Sequence, residues 1–434
     1  MRAVVCTPLV ASVLVTACGG SSTSLAPGVS YLDDATFRRA EMTASLVNPA
    51  NGYSQLRLAH YEAGGATDWD LLPEWNPRVE PIGESELDAA GGASGAPSLS
   101  PGAAALALPE SVATENDPGL IALGAAAFTR YPVQLAPYMG VALASRAAAA
   151  QYGVWVDRAL GVGGLVRVEL ADGSTAIAVT CATCHAAPGL GSVEMGLPNA
   201  RLDVGAALLD SGSFGDLGAA SAIAAWGPGR LDVTTSGGTE PVAISDLRPV
   251  RWLSHLHHDA TLVQRDRTAL AIRIETLIIT SQSQAVRPPR VVALALAAYV
   301  AGLADALPKA DAAAHGSPQG ATVFESQCVS CHVPPALTGP PVPLDVVGTD
   351  PALGLSPSRG TGTYRVPSLH GVGTRGPLLH DGTVPSLDAM FDPARLTRAF
   401  TERLHGEGAV PGHPFGLDLS DSDRSSLVAY LRAL

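Results

Sequence analysis

The chain has 434 residues, 47% of them hydrophobic, and a mean hydropathy of +0.21, so it can build two or three domains with sizeable cores and is not a disordered tail. Only 15% of residues are charged while Gly and Pro number 46 and 34, which predicts short helices joined by many ordered turns. A formal charge of -13 without clusters of Lys and Arg excludes nucleic acid or an anionic membrane surface as partner, and would steer a basic soluble partner toward the chain.

Residues 1–18, MRAVVCTPLVASVLVTAC, carry one positive charge, an apolar run and then small residues, and read as a secretory signal too short to remain as a transmembrane helix. The ending Val15-Thr16-Ala17-Cys18, followed by Gly19-Gly20 and SSTS, resembles a bacterial lipobox in which the cysteine is acylated. An ordinary cleaved signal with a free Cys18 is the alternative. Acylation would make Cys18 the membrane attachment and place the protein, lipid-anchored, in the periplasm or at the outer membrane of a Gram-negative bacterium. Residues 19–117 form an N-terminal arm: 31 to 84 hold Trp69 and Trp75 and are expected to pack on the rest of the chain, and 85 to 117, rich in Ala, Gly, Ser and Pro, read as a linker.

Residues 118–305 open with LGAAAF, carrying Gly124 and Phe128, and continue into LVRVELADGSTAIAV, a predicted hairpin with an Asp172-Gly173 turn. CATCHAAPG follows from Cys181, then the helix-like TALAIRIETLII from Thr268 and the apolar LALAAYVAGL ending at Leu303. Residues 306–434 repeat the order: QGATVF with Gly320 and Phe324, CVSCHVPP from Cys328, and SSLVAYLRAL ending at Leu434, a helix that Ser420 would cap. The expected fold is mainly α, two cytochrome c-like domains in tandem with a small β insertion and an N-terminal arm.

Of six cysteines, Cys6 falls in the signal and Cys18 in the lipobox; Cys181, Cys184, Cys328 and Cys331 all lie in C-x-x-C-H, completed by His185 and His332. Disulfides or a zinc site are the alternatives. Zinc expects its two pairs roughly 15–20 residues apart, and neither alternative explains a histidine directly after both pairs. Covalent haem attachment explains every element, because positions i, i+3 and i+4 of a helical turn share a face and let both thiols and the imidazole approach from one side. Two covalently attached c-type haems are therefore expected, with His185 and His332 as iron ligands.

Two such domains with YRVPSLHGVGTRGPLLHDGTVPSL, Tyr364 to Leu387, resemble the bacterial di-haem cytochrome c peroxidase family. The stretches WGPGRLD, RGPLLHDG, FDPARL and GHPFGLDLS are similar to the branch that includes the rubber oxygenases. The resemblance runs from about residue 118 to the end. It implies one six-coordinate, electron-transferring haem and another that binds peroxide or oxygen. It also implies a histidine some sixteen residues after the first motif, where this chain has Arg201, so the first iron is either open or capped by another group.

Met195 is the nearest candidate cap, with packing as its alternative. The cluster HLHHD, His255 to Asp259, offers a distal base or ligand, His257 foremost, or else a solvated polar turn. Trp226 lines the distal pocket or carries a radical if the resemblance holds, and otherwise is a core aromatic. For the second iron the family's methionine position is Ala394; Met390 is expected in the core with Leu387 and Phe391. His413, in the constrained loop PGHPFG, is the favoured sixth ligand, with His380 and Met390 as alternatives. Two function classes follow: an electron-transfer cytochrome served by a small soluble redox protein or a quinol-linked donor, which the sequence favours, and a peroxidase or haem-dependent oxygenase acting on peroxide or oxygen at the N-terminal haem.

Overall fold

Two helices begin on the same signal, a side-chain cap followed by proline at the first helical position. Asp117 accepts from the amides of Gly119 and Leu120 to start Pro118–Arg130, and Ser317 accepts from the Gly320 amide to start Pro318–Gln327. In the computed structural model, which describes residues 27–61, 68–87, 98–189, 191–213, 217–232, 238–307 and 317–434, each of these leading helices lies against a closing helix. The partners are Arg290–Gly302 for the first and Asp421–Arg432, capped by Ser420, for the second.

Glycine sets both crossings. A Cβ on Gly124 would stand 2.1 Å from the Ala295 carbonyl oxygen, and one on Gly320 would stand 2.0 Å from that of Ser426. One turn further on, Phe128 meets Tyr299 with ring centroids 5.4 Å apart, and Phe324 meets Tyr430 at 5.3 Å. The G-x-x-x-F repeat of the sequence is thus one helix-on-helix contact made twice. A third helix, Arg267–Ser281, packs on the first closing helix and buries Leu270, Ile272, Ile278 and Ile279 in the main core.

The predicted hairpin forms within a four-stranded antiparallel sheet of β1 (Val79–Pro81), β2 (Gln134–Leu135), β3 (Leu165–Glu169) and β4 (Thr175–Val179), in the order β1-β3-β4-β2. Its turn places Gly173 at φ +80°, a conformation that favours glycine. Strand β1 belongs to the N-terminal arm, so the arm completes this sheet.

The arm also supplies helices Pro27–Asp33, Ala35–Ser45 and Gly52–Tyr61. Tyr31 and Tyr61 both donate to Oε2 of Glu275, a fully buried carboxylate on the Arg267–Ser281 helix, at 2.8 and 2.9 Å. Asn48 and Asn51 donate side-chain N–H groups to the Gly360 carbonyl, and the Tyr53 amide meets the Ser358 carbonyl. The arm therefore lies on both helical units. The fold is mainly α with small sheets. The segment expected to be a signal and lipobox, Cys18 included, lies outside the described residues, among which no helix is long and apolar enough to cross a membrane.

Candidate functional site

Each Cys-x-x-Cys-His stretch is a helical turn backed by a glycine. Helix Cys181–His185 follows Thr180, whose hydroxyl donates to the Gly164 carbonyl at 2.7 Å, and the Thr183 hydroxyl reaches the same oxygen at 3.2 Å. Gly164, at φ +62°, lies so close that a Cβ there would stand 2.8 Å from that of Ala182. In the second turn the His332 amide donates to the Cys328 carbonyl at 2.9 Å, and a Cβ on Gly339 would stand 2.5 Å from the Cys331 carbonyl oxygen. All four cysteines are free thiols. Burial pushes Cys181 and Cys184 up to about 12 and Cys328 up to about 11. Among the described residues no group of three or more His, Cys, Asp or Glu converges to hold a metal ion.

The two histidines are held alike. His185 Nδ1 lies 2.9 Å from the Ser245 carbonyl oxygen and His332 Nδ1 lies 3.1 Å from that of Leu337. A carbonyl only accepts, so Nδ1 carries the proton and Nε2 keeps a lone pair, the tautomer that ligates a metal. Burial lowers both imidazoles to about 4.

The second motif opens on a cavity of about 240 Å³, counting the space open to the centre of a water molecule, whose lining includes Cys328, Cys331, His332, Met390, Phe391 and His413. His413 is held by a strained loop: its φ is +42°, its amide donates to the Val347 carbonyl at 2.5 Å, and Arg395 grips the loop from behind. The fully buried Arg395 donates to the carbonyls of Met390, Val410, Gly412 and His413 at 2.7–2.9 Å. Met390 both lines the cavity and packs with Leu387 and Phe391 in the core. His380 lines the same cavity, stacked on Tyr364 with centroids 4.5 Å apart. His370 instead stacks on Trp252, and His405 lies beside Gly227.

At the first motif, Cys181, Cys184 and His185 are half-buried, Cys181 against the main core and Cys184 against the second cluster with Trp226. Met195 sits in the short hairpin that follows, paired with Ala186, and packs against the main core with Cys181. Trp226 is 5% exposed and donates from Nε1 to the Gly238 carbonyl at 2.7 Å, among Leu202, Val204 and Ile223.

The HLHHD stretch is not a solvated turn. Asp259 is fully buried, paired with Arg359 Nε at 3.3 Å and accepting from the Thr261 hydroxyl at 2.7 Å. His258 Nε2 lies 3.0 Å from the Ala243 carbonyl, and burial lowers this imidazole to about 3. His257, at φ +66°, accepts at Nε2 from Arg273 Nε and presents its ring to the edge of Tyr53, 5.1 Å away. Burial and then Arg273 hold it well below the usual imidazole value. Sequence reasoning missed the arginines that close this region, Arg57, Arg273, Arg359 and Arg365; only Arg365 falls in a stretch that the resemblance marked, at the start of YRVPSL, and only the tertiary fold brings the four together.

No family model and no curated relative matches the chain. Among solved structures, one titled as a MauG-like protein associated with microbial copper homeostasis is similar over 48% of this chain and 78% of its own, at 17% identity and a TM-score of 0.32. A likeness that distant carries no argument, and the functional reading rests on the geometry above.

Proposed function

We propose that the chain is an exported di-haem c-type cytochrome whose role is electron transfer, with tandem haem domains at 118–305 and 306–434 behind an arm at 19–117. One observation carries this reading. Two Cys-x-x-Cys-His turns, each with free thiols and an imidazole fixed through Nδ1 to a carbonyl, occur in two units that share the same glycine-set helix crossing. When bound, each haem supplies an iron that takes up and releases one electron. Cys181, Cys184, Cys328 and Cys331 would hold the two groups, and Nε2 of His185 and His332 would ligate the irons.

The carbonyls of Ser245 and Leu337 fix ring orientation and strengthen each imidazole as a donor. His413, on the cavity shared with His332, would be the second imidazole to hold that haem, and a site that offered two imidazoles would suit electron transfer rather than binding of an external ligand. His257 gives its Nε2 lone pair to Arg273, so it is placed as a proton donor at Nδ1 and not as a base. That weighs against the peroxidase or oxygenase reading. The charge of -13 favours a small basic redox protein as partner, with a quinol-linked donor as the alternative, and acylation at Cys18 would hold the protein at a periplasmic membrane face.

The purified, exported protein tests this. Cys184→Ser and Cys331→Ser should each halve the haem content, and His413→Ala should let the second haem bind carbon monoxide where the wild type does not. Rapid peroxide turnover by the wild type, through an open first haem, would favour the enzyme instead.

A further inference from the structure

Four arginines from three stretches of chain gather around one imidazole. Arg57 comes from the arm helix, Arg273 from the helix Arg267–Ser281, and Arg359 and Arg365 from the segment that runs beside the His255–Asp259 turn, where the Arg365 amide meets the His258 carbonyl at 2.8 Å. All four act electrostatically on the His257 ring. Arg57 and Arg359 are 4% and 2% exposed. The Arg57 guanidinium lies 3.1 Å from the Tyr53 ring centroid and donates to the Tyr53 carbonyl at 2.9 Å and the Thr276 hydroxyl at 3.4 Å.

What the cluster lacks is acceptors. Among the described residues Arg57 Nε, Arg359 Nη2, Arg365 Nε and His257 Nδ1 are buried without a hydrogen-bond partner, as is the Tyr53 hydroxyl. The His257 proton must stand on Nδ1, because Nε2 is occupied by an arginine that can only donate. Against four guanidinium groups the described residues set one carboxylate, Asp259, paired with Arg359. Burial lowers Arg57 and Arg365 to about 10, Arg273 and Arg375 respectively adding repulsion. Uncompensated buried charge of one sign is costly, so a pocket with four guanidinium groups, one carboxylate and unpartnered N–H donors implies an acceptor-rich, negative occupant.

The cluster borders both motif sites. Arg365 lines the cavity that holds Cys328, Cys331 and His332, and His258, next to His257, lies 3.1 Å from the hydroxyl of Ser245, whose carbonyl is 2.9 Å from His185 Nδ1. We propose that Arg57, Arg273, Arg359, Arg365 and His257 form a carboxylate-binding site whose occupants are propionate groups of the haems held at the two motifs, an inference that rests on the di-haem reading above. Carboxylates accept through two oxygens and match the guanidinium fork, and a covalently held group would bring them to every molecule. The arm would then close one edge of the site through Arg57.

The test is a redox titration of the haem-loaded, full-length protein. Removing a cation beside a propionate favours the oxidised iron, so Arg57→Gln and Arg365→Gln should each move the midpoint potential of one haem negative, while Arg57→Lys keeps it near the wild-type value. Arg359→Gln provides a further variant should one of these fail to fold. Unmoved potentials in folded variants would overturn the proposal. Inorganic phosphate provides the second arm: if it raises the melting temperature of the wild type but not of Arg57→Gln, a free anion occupies the site and the propionate assignment is wrong. A wild-type preparation without covalent haem would instead refute the di-haem reading itself, a result distinct from either.

Discussion

A single side chain, Arg395, fixes the loop that presents His413. It makes four bonds to main-chain carbonyls from a fully buried position, and although it lies in the quoted stretch FDPARL the sequence does not show this role, because carbonyl acceptors leave no residue-type signature. Arg395→Met would leave those carbonyls without donors and is expected to cost about 3 kcal/mol in urea unfolding. It should also loosen His413, so the variant's second haem should bind carbon monoxide as that of His413→Ala does. His405 gives a pH signature. Its imidazole is lowered by burial, and then by Arg230, from 6.5 to about 4. The unfolded chain thus binds this proton first as pH falls: the contribution is complete above pH 6.5 and is lost on the way down to about 4. His405→Gln should flatten the acid limb of a melting-temperature profile across that window; an unchanged slope would assign the loss to other groups.

Among the elements, the leading and closing helices were legible because local signals agree: proline with a cap at one end, G-x-x-x-F in the middle and Ser420 at the start of the last helix. The hairpin was legible from its alternation and Asp-Gly turn. A sequence pattern does not say which helix a glycine faces, and here each glycine faces a carbonyl. Gly124→Ala and Gly320→Ala push a methyl to within 2.1 and 2.0 Å of main-chain oxygen, and neither backbone can yield without shifting the helix pair. Each should destabilise by about 1–3 kcal/mol in denaturant unfolding. If the two units repeat one design, both substitutions should cost similar amounts; a neutral result at either would deny the shared crossing.

At the scale of the whole molecule the arm was the least legible part. Strand β1, the Tyr31 and Tyr61 bonds to Glu275, and Arg57 in the arginine cluster all act across more than eighty residues of sequence, where hydrophobic periodicity carries no information. The sequence left the HLHHD stretch open between a ligand cluster and a solvated turn for the same reason, since the segments that bury it arrive from residues 53–57 and 357–365. Glu275 joins the arm to the first unit and also faces Arg290 Nε at 3.4 Å. Glu275→Gln weakens the Tyr31 and Tyr61 bonds and leaves Arg290 with Asp70, 2.5 Å away, as its carboxylate partner, and should cost roughly 1–3 kcal/mol. Hydrogen exchange should then quicken in the arm helix Gly52–Tyr61 before it does in the closing helix Arg290–Gly302; equal rates would show that the arm is held elsewhere.

The two motif turns are the centre of the account, and the mass of the intact, denatured, exported protein tests them most directly. The processed chain should carry the added mass of two haems, with Cys184→Ser and Cys331→Ser each reducing it to one. A wild-type mass equal to that of the bare chain, or lower by two hydrogens for each cysteine pair, would mean that the thiols carry no haem and would contradict the di-haem assignment.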